Sequence, residues 1–243
     1  MTRLLRPDWP APANVHAVCS TRLGGCSVGP FASLNLGGHV GDDPAKVAQN
    51  RRQYQQAAAM PNAPVWLNQV HGVTVATLTH NSQSGITADA AISRQPDIVA
   101  TVMTADCLPL LLCDITGTQV AAVHAGWRGL CDGIIEATLA SFTPGAALLA
   151  YLGPAISQAA FEVGTEVRDA FIAHDPSAAK AFTPGKAGKY QADLYLLARQ
   201  RLAACGVSQV YGGNYCTYQH SELFFSYRRD GQTGRMASSI WLS

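Results

Sequence analysis

The chain has 243 residues, 17 Lys+Arg against 16 Asp+Glu, a formal net charge of +1, and 48% apolar against 14% charged residues. That balance excludes intrinsic disorder, and a chain of this size hides roughly 70% of its surface on folding, enough for a core without metal or disulfide support. Near-neutrality and the lack of any Lys/Arg run argue against nucleic acid or a membrane surface as partner.

Met1 to Pro10 carries Arg3 and Arg6 and no apolar stretch of signal-peptide length. A strand is predicted over Val15–Ser20, followed by the Gly-rich loop Thr21-Arg22-Leu23-Gly24-Gly25-Cys26-Ser27 and by Ser33-Leu34-Asn35-Leu36-Gly37. Neither loop matches a P-loop or a dinucleotide fingerprint, so no nucleotide-phosphate cradle is read from them. Arg22 and Asn35 are candidates to line a pocket. Asp43-Pro44 starts a helix, with Asp as N-cap and Pro at the first helical position, and Lys46 to Met60 continue it. Strands follow at Val65–Val70, Val73–Leu78, Ile98–Thr104, Leu108–Cys113 and Gln119–His124. A second helix follows Gly129 through Ile134, Ile135 and Leu139.

A strand at Leu148–Leu152 precedes a helix that begins near Thr165 or Glu166. Another helix runs from Asp193 to Cys205 with Gly206 as its stop, and strands at Ser208–Tyr211 and Ala237–Leu242 close the chain. The longest uncharged stretch, Ala137 to Phe161, is 25 residues, but Pro144-Gly145 and Gly153-Pro154 interrupt it, so it is not a membrane span. Strands outnumber helices and do not alternate with them. This predicts a single α+β domain over residues 1–243, with layered mixed sheets. Seven scattered cysteines without a C-x-x-C pair point to reduced thiols and a cytoplasmic protein.

The middle third carries the chemistry. Drawn as an up-down-up meander, Ile98–Thr104, Leu108–Cys113 and Gln119–His124 bring Cys107 and His124 to one edge, on strands about 4.8 Å apart. His71, in Gln69-Val70-His71-Gly72, stands just past another apolar strand. Two imidazoles and a thiolate suit Zn²⁺ or copper and do not suit Mg²⁺ or Ca²⁺, and three protein ligands leave one position open, the catalytic pattern. The plain alternative is that Cys107 caps a core strand and backbone groups satisfy both histidines. In His124-Ala125-Gly126-Trp127-Arg128-Gly129 a strand enters a helix through a Gly turn. Helix-start amides and the Arg128 fork would suit an oxyanion, phosphate included. Alternatively both glycines make a tight turn and Arg128 is a solvated charge. Phe224-Phe225-Ser226-Tyr227-Arg228-Arg229 is either functional or an amphipathic segment with core aromatics.

These motifs, with Leu34-Asn35-Leu36-Gly37, Thr104-Ala105-Asp106-Cys107-Leu108-Pro109, Leu152-Gly153-Pro154-Ala155-Ile156, Phe161-Glu162-Val163-Gly164 and Phe225-Ser226-Tyr227-Arg228-Arg229-Asp230, resemble the laccase-domain family, also called YfiH-like or multicopper polyphenol oxidase-like. The resemblance spans nearly the whole chain in order. It implies a fold similar to the catalytic domain of cytotoxic necrotizing factor and a metal held by His71, Cys107 and His124. It also implies a purine nucleoside phosphorylase acting on adenosine, inosine, guanosine and S-methyl-5'-thioadenosine, with adenosine deaminase activity besides. Gln69 joins Arg22, Asn35 and Arg128 as substrate-side candidates.

The laccase label fails a chemical test. Multicopper oxidases hold a copper cluster and a blue site with about ten histidines, mostly in His-x-His pairs. This chain has seven histidines and no such pair, so at most one copper fits the His-Cys-His cradle. Deamination needs water activated by the metal and a proton carrier, for which Asp106 is the nearest carboxylate and Glu162 the second. Phosphorolysis needs an anion site and stabilisation of the leaving base. A metal-free cysteine hydrolase using Cys107 and His124, a low-activity copper-binding polyphenol oxidase, and a non-enzymatic nucleoside- or metal-binding protein are the alternatives.

Overall fold

The computed structural model describes residues 2–186 and 188–243. The strands are β1 (Leu4–Leu5), β2 (Val15–Ser20), β3 (Val65–Trp66), β4 (Val75–Leu78), β5 (Ala90–Ser93), β6 (Ala100–Thr104), β7 (Leu108–Asp114), β8 (Val120–Ala125), β9 (Leu148–Leu152), β10 (Glu162–Gly164), β11 (Phe182–Pro184), β12 (Lys189–Ala192), β13 (Gln209–Gly212) and β14 (Met236–Leu242). The helices are α1 (Pro44–Ala58), α2 (Trp127–Asp132), α3 (Ile134–Ala140), α4 (Thr165–His174), α5 (Leu194–Ala204) and the single turn α6 (Tyr227–Asp230). A five-stranded sheet has the order β1-β2-β14-β6-β3, a six-stranded sheet the order β13-β9-β7-β8-β5-β4, and β10-β12-β11 form a small third sheet. The first two sheets mix parallel and antiparallel pairs, as expected for an α+β fold.

Side-chain alternation stacks these elements in layers. Leu108, Leu110 and Leu112 of β7, with Ala121 and Val123 of β8, face a core shared with Leu130, Ile134, Ile135, Phe171 and Leu197 of the helices. The opposite parity, Leu111, Cys113, Val120 and Ala122, faces Val15, Ala17, Val102 and Ile240 of the five-stranded sheet. The far side of that sheet, including Val18, Met103 and Trp241, packs on Tyr54 and Ala58 of α1. Both central sheets are covered twice, so their strands read as continuous apolar runs.

The expected meander does not form. β7 and β8 pair as predicted, with Leu108 opposite Ala125 and Pro109 opposite His124, but β6 pairs β14 and β3 in the other sheet. An apolar run buried on both faces carries no record of its partner, which is why the sequence did not separate β6 from β7. The chain changes layers at Ala105-Asp106-Cys107, where Asp106 takes a left-handed φ of 92°.

Other boundaries shift for local reasons. Asp43 and Asp193 cap their helices by accepting from the amides of Ala45 and Leu196. The helix expected after Gly129 starts earlier, at Trp127, and Gly133, at φ 103°, divides it into α2 and α3. The strand expected over Val65–Val70 stops at Trp66, and the chain beyond it turns toward the site. β5, the Ala-rich segment that links β4 to β8, carries little intrinsic strand preference, and its two neighbours decide its conformation.

Candidate metal centre

His124 shares its parity on β8 with Val120 and Ala122, so its ring enters the space between the two large sheets. Asp89 stands one residue before β5, on the next rung beyond the Ala90–Val123 pair. Its carboxylate is fully buried, and Oδ1 accepts from His124 Nδ1 at 2.8 Å. The amides of Val70, His71 and Gly72 also donate to this carboxylate, at 3.2, 2.9 and 2.7 Å. One buried anion thereby orients one imidazole and pins the backbone of the other. His71 sits at φ 61°, uncommon for a residue with a side chain, and those three bonds hold it there.

Cys107 stands between the layer crossing and β7. Its Sγ lies 3.9 Å from His71 Nε2, the two imidazole rings are 4.7 Å apart between centroids, and donor atoms of His71, Cys107 and His124 all lie within 4.8 Å of one another. Tetrahedral zinc with bonds of about 2.0–2.3 Å places its donors about 3.5 Å apart, so small side-chain rotations close this set. With Nδ1 of His124 committed to Asp89, Nε2 is the nitrogen left for a ligand. A carboxylate behind a ligating imidazole is the usual second layer of a zinc site.

Gly126 supplies the space. A Cβ there would meet His71 Cδ2 at 2.8 Å and Cys107 Sγ at 3.2 Å, and a Cβ on Gly129 would meet the Gly72 carbonyl at 2.7 Å. Both glycines of the His-Ala-Gly-Trp-Arg-Gly segment therefore admit the 71–72 loop, beyond making a turn. The donor set and the open cradle fit zinc or copper. Burial works to raise the Cys107 pKa, but His124 and His71, through charge and hydrogen bonds, outweigh it and hold the thiol below its ordinary value. Burial likewise works to lower the His124 pKa, and Cys107 and Asp89 reverse that and raise it. A second group of potential ligands, Cys131, Asp132 and His174, joins a buried thiol to two exposed side chains.

The other predicted residues divide by location. Gln69 lines the cavity that holds the three donors, with its amide committed to both backbone groups of Met103 at 2.8 and 2.7 Å. Asp106 lines an adjoining apolar cavity; its Oδ1 accepts from the Thr217 hydroxyl at 2.6 Å and its Oδ2 from the Arg228 amide at 2.7 Å. Glu162, in β10, accepts from the Arg228 guanidinium through its backbone carbonyl and lines neither cavity. Arg22 donates to Ala32 and Ser221 carbonyls, and the buried Asn35 side chain binds Gly37, Asp42 and the backbone amide of the cavity residue Arg235; neither Arg22 nor Asn35 lines a cavity itself. Arg128 is exposed and stacks on Trp127, its Cζ 4.4 Å from the ring centroid.

Three residues around the site escaped sequence reasoning: Asp89, His39 and Arg235. A lone carboxylate at the head of Ala90-Ala91-Ile92 was the one local signal for Asp89. His39 and Arg235 line the donor cavity, and Tyr227 lines both cavities. Phe224 and Phe225 are core, as the plain reading of their segment had it.

A family model described as multi-copper polyphenol oxidoreductase laccase matches residues 16–243. The chain belongs to the laccase-domain, YfiH-like family. Purine nucleoside phosphorylase YfiH of Shigella flexneri is 55% identical, and the protein of the same name from Escherichia coli 54% identical, each over 100% of both chains. Among solved structures, a Neisseria meningitidis protein superposes with a TM-score of 0.94 at 51% identity, covering 99% of each chain. YlmD from Geobacillus stearothermophilus gives 0.90 at 32% identity, covering 98% of this chain and 96% of its own. In this YfiH-like chain the laccase description meets one His-Cys-His group among the described residues, at the sheet edge.

Proposed function

We propose that this chain is a zinc-dependent purine nucleoside phosphorylase. It takes adenosine, inosine, guanosine and S-methyl-5'-thioadenosine with phosphate, deaminates adenosine as a second reaction, and works in the cytoplasm with its cysteines reduced. The observation that carries this reading is the convergence of His71, Cys107 and His124 beside two adjoining cavities, in a chain whose full-length relatives are named purine nucleoside phosphorylases. Zinc at those donors supplies Lewis acidity and brings water activation into the neutral range; copper suits the same donors. Asp89 fixes the His124 tautomer and the loop that carries His71. Asp106, which lines the apolar cavity beside Cys107, is the carboxylate we assign to proton transfer, with the Thr217 hydroxyl as its immediate partner.

A metal-free cysteine hydrolase is the second reading, favoured by the lowered thiol pKa of Cys107 beside His124 and His71. Metal analysis and turnover on one preparation separate the two. Zinc near one per chain with phosphate-dependent hypoxanthine release from inosine supports the phosphorylase. Metal-free protein that releases no base from inosine at any phosphate concentration overturns it.

A further inference from the structure

The candidate metal centre lies in one of two adjoining cavities that share Ala105, Cys107 and Tyr227, the one with mixed polar and apolar lining, while the other is almost wholly apolar. The apolar one, of about 130 Å³, has walls of Trp127, Ile156, Phe161 and Leu194. The cavity is half-open, and its aromatic and aliphatic walls suit the faces of a flat heterocycle. The other, of about 340 Å³, holds His71 and His124 together with Arg235, His39 and Gln69, and no carboxylate lines it.

Arg235 is the unusual group. Its guanidinium is half-buried and makes no ion pair among the described residues. Both hydrogen bonds it donates, to the Thr233 and Gly234 carbonyls at 3.0 Å, leave from Nη1, so Nε and Nη2 remain for a ligand. A second guanidinium nearby, Arg51, also lacks a carboxylate; it donates to the Leu36 carbonyl and stacks over Trp66. Burial first, then these two cations, lower the His39 pKa, which makes His39 a neutral hydrogen-bonding partner. The Cys107 thiol and the Asp106 carboxylate act on Arg235 through space, but neither pairs with it, so a partly desolvated guanidinium keeps free donors that an anion would complete. Arg128 has no such situation, being exposed on Trp127 at the start of a helix of only six residues.

We propose that Arg235, with His39 beside it, holds the phosphate co-substrate in the cavity of mixed lining, while the purine base occupies the apolar one. This rests on the phosphorylase reading and fixes how the substrates lie: the ribose crosses between the cavities past Cys107 and Tyr227. A phosphate oxygen forms the new bond to the anomeric carbon. The bond from that carbon to the base nitrogen breaks, and its electron pair leaves with the purine. The base gains one proton and the phosphate monoanion loses one, giving ribose 1-phosphate and free base.

The test is steady-state phosphorolysis of inosine by the zinc-loaded enzyme, varying each substrate, with metal content and far-UV CD measured on every variant. Arg235→Gln should raise the KM for phosphate tenfold to a hundredfold, the size of one lost charge-assisted contact, and leave the KM for inosine within about twofold. Arg235→Lys, which keeps the charge and loses the fork, should fall between. Phe161→Ala should do the reverse, raising the KM for inosine while sparing phosphate, and Arg128→Ala should move neither. Adenosine deamination, which uses no phosphate, should survive Arg235→Gln. An unchanged phosphate KM in a folded Arg235 variant overturns the assignment. Loss of zinc in that variant also overturns it, making Arg235 a counter-charge to Cys107. A wild-type enzyme with no phosphate-dependent turnover sinks the phosphorylase reading itself.

Discussion

The Asp89 carboxylate accepts from Nδ1 of His124 at 2.8 Å with both side chains buried, and the same group accepts the amides of the loop that carries His71. Two ligand candidates far apart in sequence thus answer to one anion. Asp89→Asn keeps the shape but replaces an oxygen by an NH₂ that cannot accept those amides. Metal affinity should fall tenfold to a hundredfold, the usual cost of losing such a partner, as read by chelator competition. Wild-type affinity in that variant would remove Asp89 from the site.

Gly126→Ala tests the cradle. Its φ of −65° suits any residue, so backbone strain is not involved, and the new methyl would press on His71 Cδ2 at 2.8 Å and on the Cys107 sulfur. The folded variant should retain its far-UV CD spectrum and bind less than a tenth of the wild-type metal. Full metal content would mean that the ligands lie elsewhere.

Cys107→Ser replaces a thiolate with a hydroxyl, which is a poor zinc ligand at neutral pH. Most of the metal at this centre should be lost with little change in secondary structure. Retention at wild-type stoichiometry would refute the ligand set.

Copper loading addresses the laccase description. One His-Cys-His group cannot assemble a multinuclear copper cluster, so copper-saturated protein should show no rapid oxygen-dependent phenol oxidation. A blue absorption band accompanied by such oxidation would contradict this.

Asp114 gives a pH-dependent expectation remote from the metal. Its carboxylate closes the β7–β8 turn, accepting from the amides of Thr118 and Gln119 at 2.8 Å each and from the hydroxyls of Thr116 and Thr118. Burial works to raise its pKa, and these bonds outweigh it and hold the value below the ordinary 3.8. The stabilisation is therefore complete above the ordinary value and is lost as pH falls through the lower, folded one. Asp114→Ala should cost about 1.5–3 kcal/mol at neutral pH by chemical denaturation. The gap between variant and wild type should narrow only in strong acid. A gap that widens on acidification would contradict the sign.

Local signals in this sequence were legible wherever backbone chemistry is local. Asp43-Pro44 and Asp193 marked helix starts, Gly206 a helix end, and the β7–β8 hairpin was readable because its turn and both apolar runs are contiguous. That hairpin was enough to bring Cys107 and His124 to one edge. The shared edge of His71 followed from its place beyond an apolar run, although the run proved shorter than expected. Arg128 drew attention because it sits beside a ligand candidate in sequence, while Arg235, more than a hundred residues from His124, lines the cavity.

Taken alone, the sequence determined the class of fold, the helix caps and the lack of histidines for a multicopper cluster, because each depends on composition or short-range spacing; His71, Cys107 and His124 were singled out as donor candidates, with the family resemblance favouring them as a set. Tertiary structure decided the rest. Which sheet β6 joins depends on pairing between segments equally apolar on both faces, and such pairing leaves no local mark. Whether Asp89 stands behind His124 depends on the register of β5 against β8, since a slip of β5 by one residue would turn Asp89 to the helical face and leave His124 where it is. Which cation meets the cavity depends on how β14 delivers Arg235 to the end of the five-stranded sheet, and only the folded chain brings that strand beside the Asp106–Cys107 crossing.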